Sequence, residues 1–80
     1  MFATITLVSN VSTIAEMAAF VGTYVDRPIF EMAITSTRIS IARIVVAVDD
    51  EDIQEMADNW CSDYTYQTGS GMIATARYGK

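Results

Sequence analysis

The stretch VVAVDDEDIQEMADNW, residues 45–60, decides the fold because a strand pattern changes within it into a helix pattern. A β-branched run ends at four consecutive acidic residues, Asp49 to Asp52, and six of the ten acidic residues of the chain lie in this stretch. Asp49 and Asp50 are expected to stop the strand and cap a helix over residues 50–64. Apolar residues then recur at helical spacing, which predicts the core-facing stripe Ile53, Met56, Ala57, Trp60, Cys61 and Tyr64.

The residues before this stretch predict a strand, a helix and a hairpin. Residues 3–8 alternate as a strand does, and Thr13 with Glu16 fits a helix capping box, with Ser12 as a neighbouring N-cap candidate. The helix is expected to end near Asp26, because Pro28 disfavours helical geometry before it. Its expected core stripe is Val11, Ile14, Met17, Ala18, Val21 and Val25.

The complete order of elements indicates a single domain over residues 1–80. Residues 29–36 and 38–48 predict an antiparallel hairpin that turns near residues 36–37, residues 65–71 a mobile loop, and residues 72–78 a last strand. Strand, helix, strand, strand, helix, strand is the ferredoxin-like βαββαβ plan of the α+β class. We therefore expect a four-stranded antiparallel sheet with two helices on one face.

Composition argues against several classes of function. The chain has no histidine, which removes the commonest general base and metal ligand, and its one cysteine, Cys61, is expected to be buried and structural. Asp50 and Asp52 match the first spacing of a calcium loop, but the glycine and the distal glutamate are missing. We expect no enzymatic activity, no metal and no cofactor. Without a signal peptide or membrane-spanning pattern, a cytoplasmic protein is predicted.

The net charge of −5 is unevenly distributed along the chain. No lysine or arginine lies between Arg43 and Arg77, whereas seven acidic residues do. Direct nucleic-acid binding is therefore not expected, since it requires clustered basic residues.

Two interpretations of the acidic helix stay open. Acidic residues complement the helix dipole, and a solvated helix face is usually charged. Such faces normally mix both signs, however, and this one has no basic residue. A one-sided row of carboxylates can imitate a phosphate backbone, as phage-type inhibitors such as anti-CRISPR proteins do. The second interpretation is thus a non-enzymatic protein that binds and inhibits a basic, nucleic-acid-binding protein partner. Its contact residues would be Asp49, Asp50, Glu51, Asp52, Glu55 and Asp58.

A resemblance to a known family supplies an alternative function. The segment RISIARIVVAVDDEDIQEM, residues 38–56, is similar to the third strand and second helix of ACT-type amino-acid-sensing domains. The resemblance implies a dimeric regulatory domain that senses a small molecule near the first loop, around Ser9 to Ser12. The chain departs from the ACT pattern there, with Asn10-Val11 where those domains usually have a glycine.

The hairpin strand and the first helix suggest a homodimer. Residues 38–48 are apolar on both sides, and in a sheet covered by helices on one face only, the other face needs a cover. The expected oligomer interface comprises Ile39, Ile41 and Val45 of the outward side and Phe20 of the first helix. For Phe20 the competing interpretation is a wide stripe that faces the core.

Overall fold

The computed structural model describes residues 1–11 and 13–80, and it confirms the ferredoxin-like α+β fold. The described elements are, in chain order, β1 (Phe2–Ser9), α1 (Ile14–Tyr24), β2 (Ile29–Ser36), β3 (Ser40–Ala47), α2 (Ile53–Thr68) and β4 (Ile73–Tyr78). Ser12, the neighbouring N-cap candidate, lies outside the described residues. No helix of the described residues is long and apolar enough to cross a membrane.

The four strands form one antiparallel sheet in the order β2-β3-β1-β4. The two central strands contribute the fully buried Ile5, Leu7 and Ile44 to a core that the helices close from one side. Because residues paired across an antiparallel ladder share a face, the register assigns every strand residue either to this core or to the opposite face. We call the face turned away from the helices the outer face.

Helix α1 begins as predicted but presents a different stripe to the core. The Thr13 hydroxyl accepts a hydrogen bond from the Glu16 amide at 3.2 Å, which confirms the N-cap. The buried residues of α1 are Met17, Phe20 and Val21, whereas Ile14 is 52% exposed. The expected stripe is confirmed at Met17, Val21 and Val25 but wrong at its other three members, which are exposed, because the helix is rotated so that Phe20 faces the core. The sequence could not reveal this, since apolar residues lie on most sides of α1.

Helix α2 confirms its predicted apolar stripe but has different ends. All six predicted core residues are buried, from Ile53 to Tyr64. The N-cap is Asp52, not Asp49 or Asp50, and its carboxylate accepts a hydrogen bond from the Glu55 amide at 3.1 Å. The helix continues to Thr68 and ends at Gly69, whose φ of 75° suits a left-handed C-cap. The loop predicted from residue 65 is thus shorter than expected.

The β2–β3 hairpin is confirmed, with one irregularity that changes which face a residue occupies. A break in register between Ile29 and Glu31 leaves Phe30 unpaired with β3. The Phe30 ring lies 5.2 Å from the ring of Phe2, on the outer face, and the Lys80 ammonium lies 4.1 Å from the Phe30 centroid. Strict alternation along the strand would place Phe30 on the same face as Met32 and Ile34, and the bulge moves it to the opposite face.

Candidate functional site

The acidic residues at the start of α2 do not form one uniform surface. Asp49 and Asp50 lie in the exposed connection between β3 and α2, while Glu55 and Asp58 are exposed on the helix itself. Asp52 is also exposed, although one carboxylate oxygen caps the helix. Five of the six predicted contact residues are therefore accessible to a partner.

Glu51 is the exception, because its carboxylate is paired within the chain. One carboxylate oxygen lies 2.6 Å from the Arg27 guanidinium, and the other accepts a hydrogen bond from the Asp49 amide at 3.1 Å. These bonds, that to Arg27 first, hold the pKa of Glu51 below its usual range. The backbone of Glu51 also exchanges hydrogen bonds with the Tyr78 hydroxyl. Glu51 is therefore not a free carboxylate of the expected contact set, and its bonds anchor the start of α2.

Arg27 connects this anchor to the end of α1. Its guanidinium also contacts the Asp26 carboxylate at 2.7 Å, and that carboxylate accepts a hydrogen bond from the Trp60 indole at 3.0 Å. The sequence did not indicate these contacts, because 24 residues separate Arg27 from Glu51 and 34 separate Asp26 from Trp60. The sequence offered one indirect indication of these contacts. Asp26 and Arg27 follow α1, and in the βαββαβ plan α1 and α2 lie side by side on one face of the sheet.

A groove of about 370 Å³ lies beside this network, between the end of α1 and α2. We call it the acidic groove. Asp52, Glu55 and Asp63 line it from α2 at helical spacing, and Arg27 is its only cationic lining residue among those described. Since Arg27 is held by Asp26 and Glu51, these three carboxylates have no cationic partner in the described part of the chain. The residues that line the groove are Tyr24, Asp26, Arg27, Glu51, Asp52, Glu55, Met56, Asn59, Trp60 and Asp63.

Asp58 lies on the other side of α2, next to β4. It accepts a hydrogen bond at 2.8 Å from the side-chain amide of Gln54, which also donates to the Ala74 carbonyl at 2.9 Å. The Gln54 carbonyl in turn accepts from the Ala76 amide at 2.9 Å. Gln54 thus satisfies two backbone groups of an edge strand, which sequence reasoning missed. Asp58 does not line the acidic groove, although it follows the groove residue Glu55 by three positions on the exposed surface of α2.

The predicted oligomer interface is only partly exposed. Phe20 is 1% exposed and stacks on Tyr24 with ring centroids 5.3 Å apart, so the prediction that it faces outward is wrong and the core interpretation holds. Val45 lies on the outer face but is fully buried, so it offers no contact area in this state. Ile41 is half-buried on the outer face, and Ile39 is exposed in the hairpin turn.

Cys61 is buried, as the helical pattern predicts. Burial, with a smaller contribution from the nearby Asp58 charge, raises the pKa of the Cys61 thiol to about 11. A thiol with this pKa is protonated at neutral pH and is a poor nucleophile. Within the described residues, no group of three or more potential metal ligands comes together.

The first loop contains the site implied by the ACT resemblance. Ser9 is buried, and its hydroxyl donates to the Gly71 carbonyl at 2.8 Å and accepts from the Val11 amide at 3.4 Å. Asn10 is exposed. Ser12 belongs to the undescribed position, so its part in such a site is not tested. The Ser9 hydroxyl is engaged within the chain, and a pocket of about 340 Å³ that Ser9, Asn10 and Gly71 help to line lies beside this loop. The small-molecule site implied by the ACT resemblance stays a prediction.

The chain was compared with protein-family models, with curated proteins and with solved structures, and none of these comparisons found a match.

Proposed function

We propose that the chain is a non-enzymatic interaction protein that binds a basic segment of a protein partner in the acidic groove. It would inhibit that partner by occupying a surface that otherwise binds nucleic acid. The observation that carries the proposal is the set of three carboxylates, Asp52, Glu55 and Asp63, that line one groove without a cationic partner among the described residues. The cation already in the groove, Arg27, is held by two other carboxylates.

The shape and chemistry of the groove suit an arginine side chain. A guanidinium donates several hydrogen bonds in a fixed plane and pairs with carboxylates in bidentate geometry. Tyr24, Met56 and Trp60 add apolar surface to the groove, against which the methylene part of the side chain can pack. A lysine side chain in the acidic groove would be attracted by the same negative charge, but its ammonium group would form less directional hydrogen bonds than a guanidinium does.

The wider charge distribution supports rapid encounter with such a partner. Seven acidic residues and no basic residue lie between Arg43 and Arg77, so the field at α2 is of one sign. A field of one sign steers an oppositely charged surface and raises the association rate, and salt weakens the effect over a Debye length of about 8 Å at physiological ionic strength. The proposal therefore requires binding that depends strongly on salt.

The chemistry of the nucleophilic and acidic groups supports a non-enzymatic role. The chain has no histidine, and the pKa of Cys61 is raised to about 11, which removes the thiolate at neutral pH. Glu51, the carboxylate most engaged within the chain, has a lowered pKa and is therefore a weak general base.

The test uses a fluorescent arginine-rich peptide and two variants with the same change in net charge. Glu55→Lys/Asp63→Lys reverses the groove, whereas Glu16→Lys/Glu31→Lys reverses two exposed acids outside it. Anisotropy titrations should show at least a roughly tenfold weaker affinity for the groove variant than for the control, because only the former loses direct contacts. Equal weakening of both variants would show that net charge alone attracts the peptide and would contradict the groove.

Inhibition is tested separately with proteins captured from a lysate. The wild-type chain should retain nucleic-acid-binding proteins at roughly 50 mM salt and release them when a competing oligonucleotide is added, because both ligands need the same basic surface. Captured proteins that keep their oligonucleotide while bound to the chain would refute the inhibitory role.

A further inference from the structure

The two edges of the sheet differ in whether the chain itself occupies their backbone groups. In an antiparallel ladder, alternate residues direct both N–H and C=O to the same side, so an edge strand directs half of these groups away from the sheet. On β4 the outward groups include the Ala74 carbonyl and the Ala76 amide, and the Gln54 side chain bonds to both. The edge of β4 is therefore partly blocked within the chain.

The edge of β2 has no such cover. The Ala47 amide donates to the Pro28 carbonyl at 3.0 Å, so the odd-numbered residues of β3 direct their backbone groups to β2. From Glu31 onward, their partners on β2 are odd-numbered as well. The even-numbered residues of β2 therefore direct their N–H and C=O groups to the free edge, where no strand of the described residues lies. These residues are Met32, Ile34 and Ser36.

The features that usually protect an edge strand lie outside these positions. Proline, bulges and charged residues all hinder the addition of a further strand. In β2 the register break and Glu31 come before Met32, and Pro28 precedes the strand. Residues 32–36 contain no proline, no charged residue and no break in register, so this segment can accept a strand.

Helix α1 presents an uncharged flank above the same edge. The Phe20 ring contacts the Tyr64 ring of α2 with centroids 5.1 Å apart, whereas α1 also contacts β2, so the flank opposite Phe20 lies toward the β2 edge. At about 100° per residue, this flank holds Ile14, Ala18 and Gly22, and all three are exposed. A Cβ added at Gly22 would meet no atom within 4 Å. The flank is therefore apolar, composed mainly of small residues and unobstructed.

We propose that a second copy of this chain adds its β2 to this edge in antiparallel orientation, about a two-fold axis perpendicular to the sheet. The register that engages every outward group places Ile34 opposite Ile34 of the partner subunit and Met32 opposite Ser36 of the partner subunit. The symmetry repeats the second pair, and each pair exchanges two N–H···O bonds, which gives about six in all. An axis at Ala33 would instead oppose Ser36 to the irregular Phe30 of the partner subunit and would lose two of these bonds.

The same axis brings the two α1 helices to packing distance. Because α1 contacts both β2 and β3, it lies above the space between them, half of the strand spacing of about 4.8 Å inside β2. The two-fold axis lies the same distance outside β2, so the two helices are about 10 Å apart. Helices pack at about 8 to 10 Å, and small residues such as Ala18 and Gly22 permit this approach. A strand from an unrelated partner would leave this flank uncovered, which favours a second copy as the occupant.

The charges near the joined strands are also compatible with a second copy. Glu31 lies opposite Thr37 of the partner subunit, and Arg38 follows Thr37 in the hairpin turn, so each end of the strand pair holds one acidic and one basic residue. Neither Glu31 nor Arg38 forms an ion pair with another described residue. The two Glu31 residues are about 20 Å apart in this register. Glu16, the only charged residue of α1, lies on the flank nearer to α2.

The size of the contact predicts a weak dimer. The joined strands are about 17 Å long and α1 is about 16 Å long, which is short for an interface between subunits. The apolar side chains that become covered include Ile14, which is 52% exposed, and Met32, which is 50% exposed. A dissociation constant in the micromolar range is therefore expected. The acidic groove lies on the α2 side of α1 and stays open in the dimer, so this proposal does not depend on the proposed function.

Two alanine substitutions on α1 test the arrangement. Sedimentation equilibrium and light scattering, at roughly 1 to 500 µM protein, should show a mass that rises from monomer to dimer. Ala18→Glu places two carboxylates close to the two-fold axis and should raise the dissociation constant by about tenfold or more. Ala19→Glu is the matched control, because it adds the same charge to an exposed alanine of the same helix that points away from the sheet. This variant should dimerise as the wild type does.

A backbone substitution tests the strand pairing without adding charge. Met32→Pro removes an N–H that points to the free edge and keeps the bonds between β2 and β3, since proline is tolerated on the outward side of an edge strand. It should also weaken the dimer. Circular dichroism of each variant checks the fold.

Amide hydrogen exchange of the wild type locates the interface directly. The amides of Met32, Ile34 and Ser36 should exchange more slowly at high protein concentration than at low concentration, because only the dimer protects them. Exchange of the Ala76 amide, at the other edge, should not depend on concentration. A monomeric wild-type protein over the whole range would overturn the proposal. A dimer that leaves the three β2 amides unprotected, or that Ala19→Glu weakens as strongly as Ala18→Glu, would place the interface elsewhere and would also overturn it.

Discussion

Gln54 provides the sharpest test of how α2 is attached to the sheet. Its side-chain amide bonds to the Ala74 carbonyl and the Ala76 amide, both at 2.9 Å, and these backbone groups belong to the free edge of β4. Gln54→Ala removes both bonds together with the bond from the same side chain to the Asp58 carboxylate, while the charge stays the same and the helical propensity does not fall. The bond to Asp58 lies on the exposed surface of the helix, where water replaces it at little cost, so the effect of the variant reports mainly on the bridge to the strand edge.

The expected loss of stability follows from the number and exposure of these bonds. A typical intramolecular hydrogen bond contributes about 0.5 to 1.5 kcal/mol to the free energy of unfolding. Water can reach an edge strand after the substitution, so the lower half of that range applies to each bond, which gives about 1 to 2 kcal/mol in total. In a domain of this size, that corresponds to a decrease in Tm of roughly 5 to 15 °C.

Urea unfolding and amide hydrogen exchange measure the effect. Gln67→Ala is the matched control, because Gln67 is an exposed glutamine of the same helix and forms no side-chain hydrogen bond with a described residue. Gln54→Ala should lower the free energy of unfolding and accelerate exchange of the Ala76 amide, whereas Gln67→Ala should do neither. Equal stability of the two variants would refute the assignment of Gln54 as a bridge to β4.

Three further predictions follow from buried or paired groups. Phe20→Ala should cost about 3 to 5 kcal/mol in urea unfolding, because it opens a cavity in the core, and a change in oligomeric mass without loss of stability would contradict this. The pKa of Glu51 is lowered on folding, so its stabilising effect is present above its unfolded pKa and is lost as pH falls. Acid titration of Glu51→Gln should accordingly show a smaller decrease in stability below about pH 4.5 than the wild type shows. The Cys61 thiol, with a pKa of about 11, should react with iodoacetamide at pH 8 much more slowly in the folded protein than in urea, and equal rates would show that it is accessible.

The acidic groove belongs to the helix layer of the fold. On the opposite face of the sheet, the Thr4 hydroxyl donates to the Gly79 carbonyl and the Lys80 ammonium lies 4.5 Å from the Phe2 ring centroid. Arg43 and Arg77 lie on the outer face together with Glu31, so that face carries both signs, whereas the acidic groove has an excess of negative charge.

The sequence alone determined the order of elements and the apolar side of α2. Three local patterns were sufficient: the alternation in the strands, the Thr13 cap, and the i, i+3, i+4 stripe from Ile53 to Tyr64. Each depends only on residues that are close together in the chain, so it is visible in the sequence. The ends of α2 were predicted less accurately. Three consecutive acidic residues precede Asp52, each of them could cap a helix, and only the backbone geometry shows that Asp52 is the N-cap.

Only the tertiary structure decided which charges are free and which faces are open. Glu51 is paired because the chain returns Arg27 to it, and Phe20 is buried because α1 is rotated against Tyr64. The Phe30 bulge moves an aromatic ring from one face of the sheet to the other. Each of these outcomes depends on contacts between residues far apart in the chain. A periodic pattern within one element describes how that element is built, but it contains no information about what the rest of the chain places against it.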